Sequence, residues 1–267
     1  MPSDDRRILT KEFLLLSDFC DRYGRWKPAN MLVAMQELAG EHSERLGVGR
    51  EPLLQEGAIW VLTRSEMHIA RYPYFLDRVV AHTFPAPSRR ALYPRYYTFE
   101  TPEGEPLVTA VSYWTIMDLA TQHMTGVPLV DSRMPDTADI PRPMGYPGSV
   151  HIVPGEQQIV PYQPVYADLD LNGHVNNTRC AEWITNLLGS AVLRHMQIGT
   201  LLINYLREIR GDAPLTFSYR LDEGAFSLRC LRGDQSCVDV GGTLMPADDP
   251  GACPSPVAFL GDDSEDD

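Results

Sequence analysis

The feature that most restricts this chain is that it resembles itself. Shifted by 149 residues, Asp21, Tyr23, Gly24 and Arg25 fall on Asp170, Asn172, Gly173 and His174, and Gly40 falls on Gly189. A shift of 142 sets Glu66 over Glu208, each ahead of an apolar residue in a strand-like stretch. Between the halves, the run from Gly126 to Glu156 holds six prolines, Pro128, Pro135, Pro141, Pro143, Pro147 and Pro154, with little periodic hydrophobicity. Proline at that density ends regular elements, so the run reads as a connecting segment. The chain is expected to be two diverged copies of one unit.

Each copy opens with an amphipathic helix. In the first, Pro28 sits where a first-turn proline is tolerated, and Met31, Leu32, Met35, Leu38, Ala39 and Leu46 recur at helical spacing. In the second, Cys180, Ile184, Leu187, Leu188 and Ala191 form the stripe, with Asn176 or Asn177 available as N-cap. Strand patterns follow: AIWVLTRSEMHI, RYYTFE and PLVTAVSYWTIM in the first half, with TPEGE as a turn. The second half has TLLINYLREI, PLTFSYRL, FSLRCL and CVDVGGTLM, with Arg232-Gly233-Asp234 as a turn. The expected fold class is α+β, with units at 1–130 and 157–247, a linker at 131–156 and an acidic tail at 248–267.

Charge narrows the function. The net charge of −13 opposes nucleic-acid binding, which rests on clustered Lys and Arg. Seven of the acids lie in the tail, which has no Lys or Arg and is expected to be disordered. The five cysteines show no paired metal spacing, and MPSDDRRILT lacks the apolar core of a signal peptide. Reduced cysteines in a cytoplasmic protein are expected, with no metal and no cofactor. No apolar run approaches the roughly 20 residues that span a bilayer, so no membrane insertion is expected.

The second copy carries the more reactive residues. Asp170, Asn172 and His174 alternate along a stretch read as extended, which would aim them to one side just before a helix N-terminus. The amides and dipole there favour negative charge developing on a carbonyl oxygen. Glu208, read as lying in a strand among apolar residues, is the acid whose pKa burial would raise toward general-base duty, and His174 has a suitable intrinsic pKa. Each residue also has a plainer reading. Asn172-Gly173 is a turn signal, with Asp170 and Asn172 making Asx turns, and a strand glutamate usually faces solvent. Cys180 on an apolar stripe reads as a small buried hydrophobe rather than a nucleophile. Met31 and Met35 are candidates to line an acyl tunnel, and core packing explains them equally well; Trp60, with Trp183, is a candidate to stack on a ligand, though such tryptophans are more often core.

DLDLNGHVNNTRCAEW resembles the DLDxNxHVNNxxYxxW signature of the acyl-acyl carrier protein thioesterases, the plant plastid enzymes and their bacterial relatives. INYLREIRGD resembles that family's glutamate-bearing strand, and AIWVLTRSEMHIARYPYFLDRV and SYWTIMDLATQHM resemble its YPxxxD and WxxMDLxTR elements. The similarity runs from about Phe13 to about Met245. It implies a double hotdog fold, each antiparallel sheet wrapped around a long helix, with acyl-chain selection in the first unit. It also implies hydrolysis of a long-chain fatty acyl-acyl carrier protein thioester, ending fatty acid synthesis, with Asp170, Asn172, His174 and Glu208 on catalytic positions. Many plant members have a cysteine after the glutamate; here that position is Ile209, which excludes a covalent acyl-cysteine at this site. The signature tyrosine is Cys180, and the arginine of WxxMDLxTR is Gln122.

The expected partner is acyl carrier protein with its phosphopantetheine-linked acyl chain, and a homodimer is compatible with the sequence. Because that carrier is acidic, Arg71, Arg78, Arg89, Arg90 and Arg95 are candidates for a basic docking patch. The competing readings are a hotdog thioesterase acting on acyl-coenzyme A and a non-catalytic acyl-binding protein.

Overall fold

The computed structural model describes residues 6–248. The acidic tail, Asp248 excepted, and Cys253 lie outside the described residues. Ten antiparallel strands form one sheet: β1 Leu9–Leu14, β2 Ala58–Ile69, β3 Arg78–Pro85, β4 Tyr93–Glu100, β5 Pro106–Asp118, β6 Gln158–Tyr162, β7 Met196–Tyr205, β8 Leu215–Asp222, β9 Ala225–Arg232 and β10 Gln235–Pro246. Their order across the sheet is β1-β3-β4-β5-β2-β7-β10-β9-β8-β6. The first five and last five are the same arrangement reflected about the β2–β7 seam, as two hotdog units require. The long helices α1, Pro28–Leu46, and α4, Arg179–Leu193, contribute to one continuous hydrophobic core. Short helices α2, Arg50–Gln55, and α3, Pro128–Arg133, complete the set.

Local chemistry explains the helix ends. Pro28 begins α1, and Gly47 ends it at φ 72°, a left-handed conformation that glycine adopts without a Cβ penalty. α4 starts later than its expected caps. Asn176 Oδ1 accepts the Thr178 amide at 2.9 Å, so Asn176 makes a turn leading into the helix, and Thr178 is the cap position. Gly189, at φ 71° and ψ 171°, interrupts α4, whereas α1 runs unbroken through Gly40.

The sheet alters two expectations. Three strands lacked a recognised pattern: β1 and β6, the two edges, and β3. β6 contains Pro161, which an edge tolerates because it lacks an amide for the ladder. The second change concerns Glu66. Equivalent backbone bonds, Trp26 N to Pro73 O and Val175 N to Ile209 O, relate the post-strand segments by 136 residues rather than 142. Leu202, not Glu208, is therefore the counterpart of Glu66, and the two sit opposite each other at the pseudo-twofold axis. Tyr72 is the counterpart of Glu208.

The linker is a strap across the outer face of the sheet. Thr137 donates to Pro85 O at 2.6 Å, Tyr146 stacks on Tyr113, and the Gly148 amide donates to Glu66 Oε2 at 2.7 Å. Farther on, Val153 N donates to Ser227 Oγ at 2.9 Å and Arg220 to Glu156 O at 3.0 Å. Glu66 is thus consumed in tying the strap to the seam.

Inside the first unit, one polar pair sits in apolar surroundings. Arg95 on β4 and His42 on α1 are 4% and 2% exposed. Arg95 donates to His42 Nδ1 at 3.0 Å, so that nitrogen is unprotonated, and His42 Nε2 donates to Arg6 O at 3.0 Å. Burial, assisted by Arg95 and Arg45, pushes the imidazole pKa down to about 4. The unfolded chain therefore takes up a proton near pH 6.5 that the folded chain refuses until about pH 4, and stability falls as pH drops through that window. Urea unfolding between pH 7 and pH 4 should show a loss on the order of 2–3 kcal/mol that His42→Gln removes.

Candidate active site

The loop from Asp170 to His174 is a closed turn rather than an extended stretch. Asp170 Oδ1 accepts the amides of Asn172 at 2.8 Å and His174 at 3.2 Å, while Asp170 N donates to His174 O at 2.8 Å. Gly173 completes it at φ 72°. The first copy builds the same turn: Asp21 Oδ1 accepts Tyr23 N at 2.8 Å and Arg25 N at 3.0 Å, with Gly24 at φ 78°. The Asx-turn reading of Asp170 is correct, and its Oδ1 is occupied by backbone amides.

What differs is the side chain that each turn presents. Arg25 is 4% exposed and bonds Asp21 at 2.8 Å, Leu193 O at 2.9 Å and Met196 O at 3.2 Å, fastening the first loop to the end of α4. Tyr72 is likewise consumed, donating to Ile198 O at 3.0 Å. In the second copy, His174 is half-buried and Glu208 exposed. Backbone pairing of residues 173–175 with 209–211 brings them together, leaving His174 Nε2 3.6 Å from Glu208 Oε2. That gap is too long for a hydrogen bond and is bridgeable by a shared water.

Glu208 does not lie in a strand among apolar groups. β7 ends at Tyr205, because Leu206 and Arg207 turn their amides onto Cys237 O. Its Oε2 instead accepts from Arg210 at 2.9 and 3.3 Å. The next residue, Ile209, is 4% exposed in the core, so a side chain at that position points away from the carboxylate. Sequence pattern alone missed Arg210, which reaches the carboxylate from two residues farther along the same segment. The Asn172 side chain is exposed and makes no hydrogen bond among the described residues. At the α4 N-terminus, the amides of Thr178, Arg179 and Ala181 are already bonded within the protein, so fewer remain for an oxyanion than the sequence suggested.

The remaining candidates are dispersed. Met31 and Met35 are in the main core, whereas Trp60 belongs to a separate cluster, edge-on to Tyr93 at 5.1 Å and bonded to Val48 O. Of the proposed docking arginines, Arg95 is buried and Arg78 is paired with Glu12 at 2.8 Å, so the five form no common patch. A cavity of about 320 Å³ lies beside the first loop, bordered by Tyr23, Lys27, Tyr72, Ser190 and Gln197; neither His174 nor Glu208 borders it. Among the described residues, no group of three or more His, Cys, Asp or Glu is placed to hold a metal. No helix there is long and apolar enough to cross a membrane.

Cysteine chemistry has no foothold here. Burial pushes the Cys180 thiol up to about 12, and Cys20, Cys230 and Cys237 are also buried and not in disulfides. In a Cys253→Ser chain, a thiol-reactive chromophore should label nothing in the native protein and four groups after denaturation.

The acyl-ACP thioesterase N-terminal domain model matches residues 7–129, and the C-terminal domain model matches residues 153–237. A chloroplastic acyl-[acyl-carrier-protein] hydrolase of Cuphea viscosissima is 25% identical over 192 residues, 67% of this chain and 47% of that protein. The chloroplastic palmitoyl-acyl carrier protein thioesterase of Gossypium hirsutum is 27% identical over 194 residues, covering 68% and 47%. The chain thus spans about half the length of these curated relatives. An acyl-ACP thioesterase from Bacteroides thetaiotaomicron superimposes with TM-score 0.82 at 21% identity, covering 91% of this chain and 100% of that one. The 12:0-ACP thioesterase from Umbellularia californica gives TM-score 0.76 at 18% identity, covering 90% and 98%. Two adjoining domain matches over most of the sequence, on a doubled hotdog sheet, place this chain in the acyl-ACP thioesterase family.

Proposed function

We propose that the protein hydrolyses the thioester between a long-chain fatty acyl group and acyl carrier protein. The observation that carries this reading is the approach of His174 to Glu208, with Arg210 on the same carboxylate oxygen and Asn172 exposed on the adjoining turn. The names of the curated relatives, hydrolases and thioesterases of acyl carrier proteins, support the substrate class.

In the proposed reaction, a water held between His174 and Glu208 loses a proton to one of them as its oxygen attacks the thioester carbonyl. The Asn172 carboxamide and the dipole of α4 face the oxyanion that forms. Collapse breaks the carbon–sulfur bond, and the proton returns to the departing thiolate. Asp170 shapes the turn that carries Asn172 and His174. The acyl chain lies in the first unit beneath α1, with the pantetheine arm between the units. Tyr166, just before the turn, and Leu171, within it, are 95% and 102% exposed and offer the carrier an apolar surface beside the site.

Asn172→Ala, His174→Ala and Glu208→Gln should each lower kcat/KM for acyl carrier protein substrates by about 100-fold or more with little change in unfolding midpoint. Normal hydrolysis by the Asn172 and Glu208 variants defeats the site assignment. Turnover of one acyl chain on both carriers tests the partner: a strong preference for coenzyme A selects the acyl-coenzyme A reading.

A further inference from the structure

The Arg95 guanidinium is a buried cation with no carboxylate beside it among the described residues. Its hydrogen bonds among the described residues go to three neutral side chains: His42 at 3.0 Å, Thr83 at 3.4 Å and Ser43 at 3.4 Å. No carboxylate is paired with it among the described residues, and five N–H donors face those three acceptors. The α1 C-terminus nearby supplies only a partial negative charge, and its last turn is already closed by the Gly47 and Val48 amides. An isolated charge taken out of water costs several kcal/mol even after relaxation. A neutral residue of similar volume would remove that cost.

The position of Arg95 is as informative as its charge. The inward residues of β4 are Tyr93, Arg95, Tyr97 and Phe99; Tyr97 and Phe99 belong to the main core, Tyr93 to the cluster with Trp60. Arg95 therefore separates the two apolar regions of the first unit. A row of polar groups leads from it toward the catalytic turn. Arg95 pairs across strands with Ser112, Ser112 with Ser65, and Ser65 with Ile203, while Tyr205, two residues on, donates to Asn177 O at 3.2 Å just ahead of α4. The hydroxyls along this row are partnered: Tyr97 and Trp114 both bond Ser112 Oγ, at 3.1 and 2.8 Å. Only at its far end is a charge left uncompensated.

We propose that the acyl chains this protein selects carry an oxygen function, a carboxylate or a hydroxyl, at the end remote from the thioester, and that Arg95 receives it. This rests on the hydrolase reading above and names its substrate more closely. Three strand spacings separate Arg95 from β7, about 14 Å. An extended chain advances about 1.2 Å per bond, so about twelve carbons cross those three spacings. A carboxylate there pairs with the fork of donors; a methyl end leaves the charge uncompensated and excludes its remaining water.

The test compares dodecanoyl-, ω-hydroxydodecanoyl- and ω-carboxyundecanoyl-acyl carrier protein as substrates of the full chain. The wild type should show kcat/KM at least tenfold higher for the ω-carboxy chain than for the methyl-ended one, with the ω-hydroxy chain between them. Arg95→Met should bring that ratio to one or below, and Arg95→Lys should retain part of it. Equal or faster hydrolysis of the methyl-ended chain by the wild type overturns the proposal even if both variants fail to fold. An unchanged ratio in a folded Arg95→Met protein also overturns it. Failure to hydrolyse any of the three, or unsubstituted acyl chains of other lengths on the same carrier, removes the hydrolase reading on which the proposal rests.

Discussion

Backbone pairing between β2 and β7 holds this molecule together as one body. Residues Arg64–His68 lie against Thr200–Asn204, and through that seam two five-stranded sheets become one of ten strands. Without it each half would expose a long strand edge, a template for pairing with other chains. The seam also sets the pseudo-twofold axis, opposing Glu66 to Leu202, and allows α1 and α4 to share a core. Covalent linkage adds the strap, which Glu66 fastens at the axis itself.

Symmetry of backbone has allowed asymmetry of chemistry. One Asx turn, built by Asp21 in the first copy and Asp170 in the second, is reproduced down to the glycine in positive φ. In the first copy the turn presents Arg25, whose bonds to Asp21 and to carbonyls at the end of α4 turn a possible reactive position into a fastening. In the second it presents His174 to solvent beside Glu208. The two loops differ in function because their side chains differ in what they are free to do.

The first unit is not a plain hydrocarbon shell. Its helix and sheet enclose an arginine on β4 and a neutral histidine on α1, and a line of hydroxyls crosses the inner face toward Asn177. Apolar packing on either side holds these groups in place, and the same packing withholds the water that would screen Arg95. The polarity of that interior is a property of this chain's first unit that burial of Met31 and Met35 alone would conceal.

Much of the fold is legible in the sequence alone. Pro28 and the spacing from Met31 to Leu46 marked α1, and β2 appeared with its observed bounds, because helix and strand periodicities are local signals. Repetition of the Asp-x-x-Gly turn exposed the duplication, and the segment around Asp170, Asn172 and His174 pointed to the second copy. Other features depended on contacts between distant segments. Edge strands β1 and β6 have one exposed side and hence weak patterning, and Glu208 left its strand because Leu206 and Arg207 bond Cys237 O. Tyr72 became its counterpart only through the pairing of 24–26 with 73–75 and of 173–175 with 209–211. Arg95, one of the five arginines read as a surface docking patch, was carried inside by the alternation of β4. The sequence by itself determined which elements exist and that they come twice; tertiary structure decided which charges are buried, which are consumed and which remain free. Element formation depends on neighbours a few residues away, whereas burial and pairing depend on strands brought together from opposite ends of the chain.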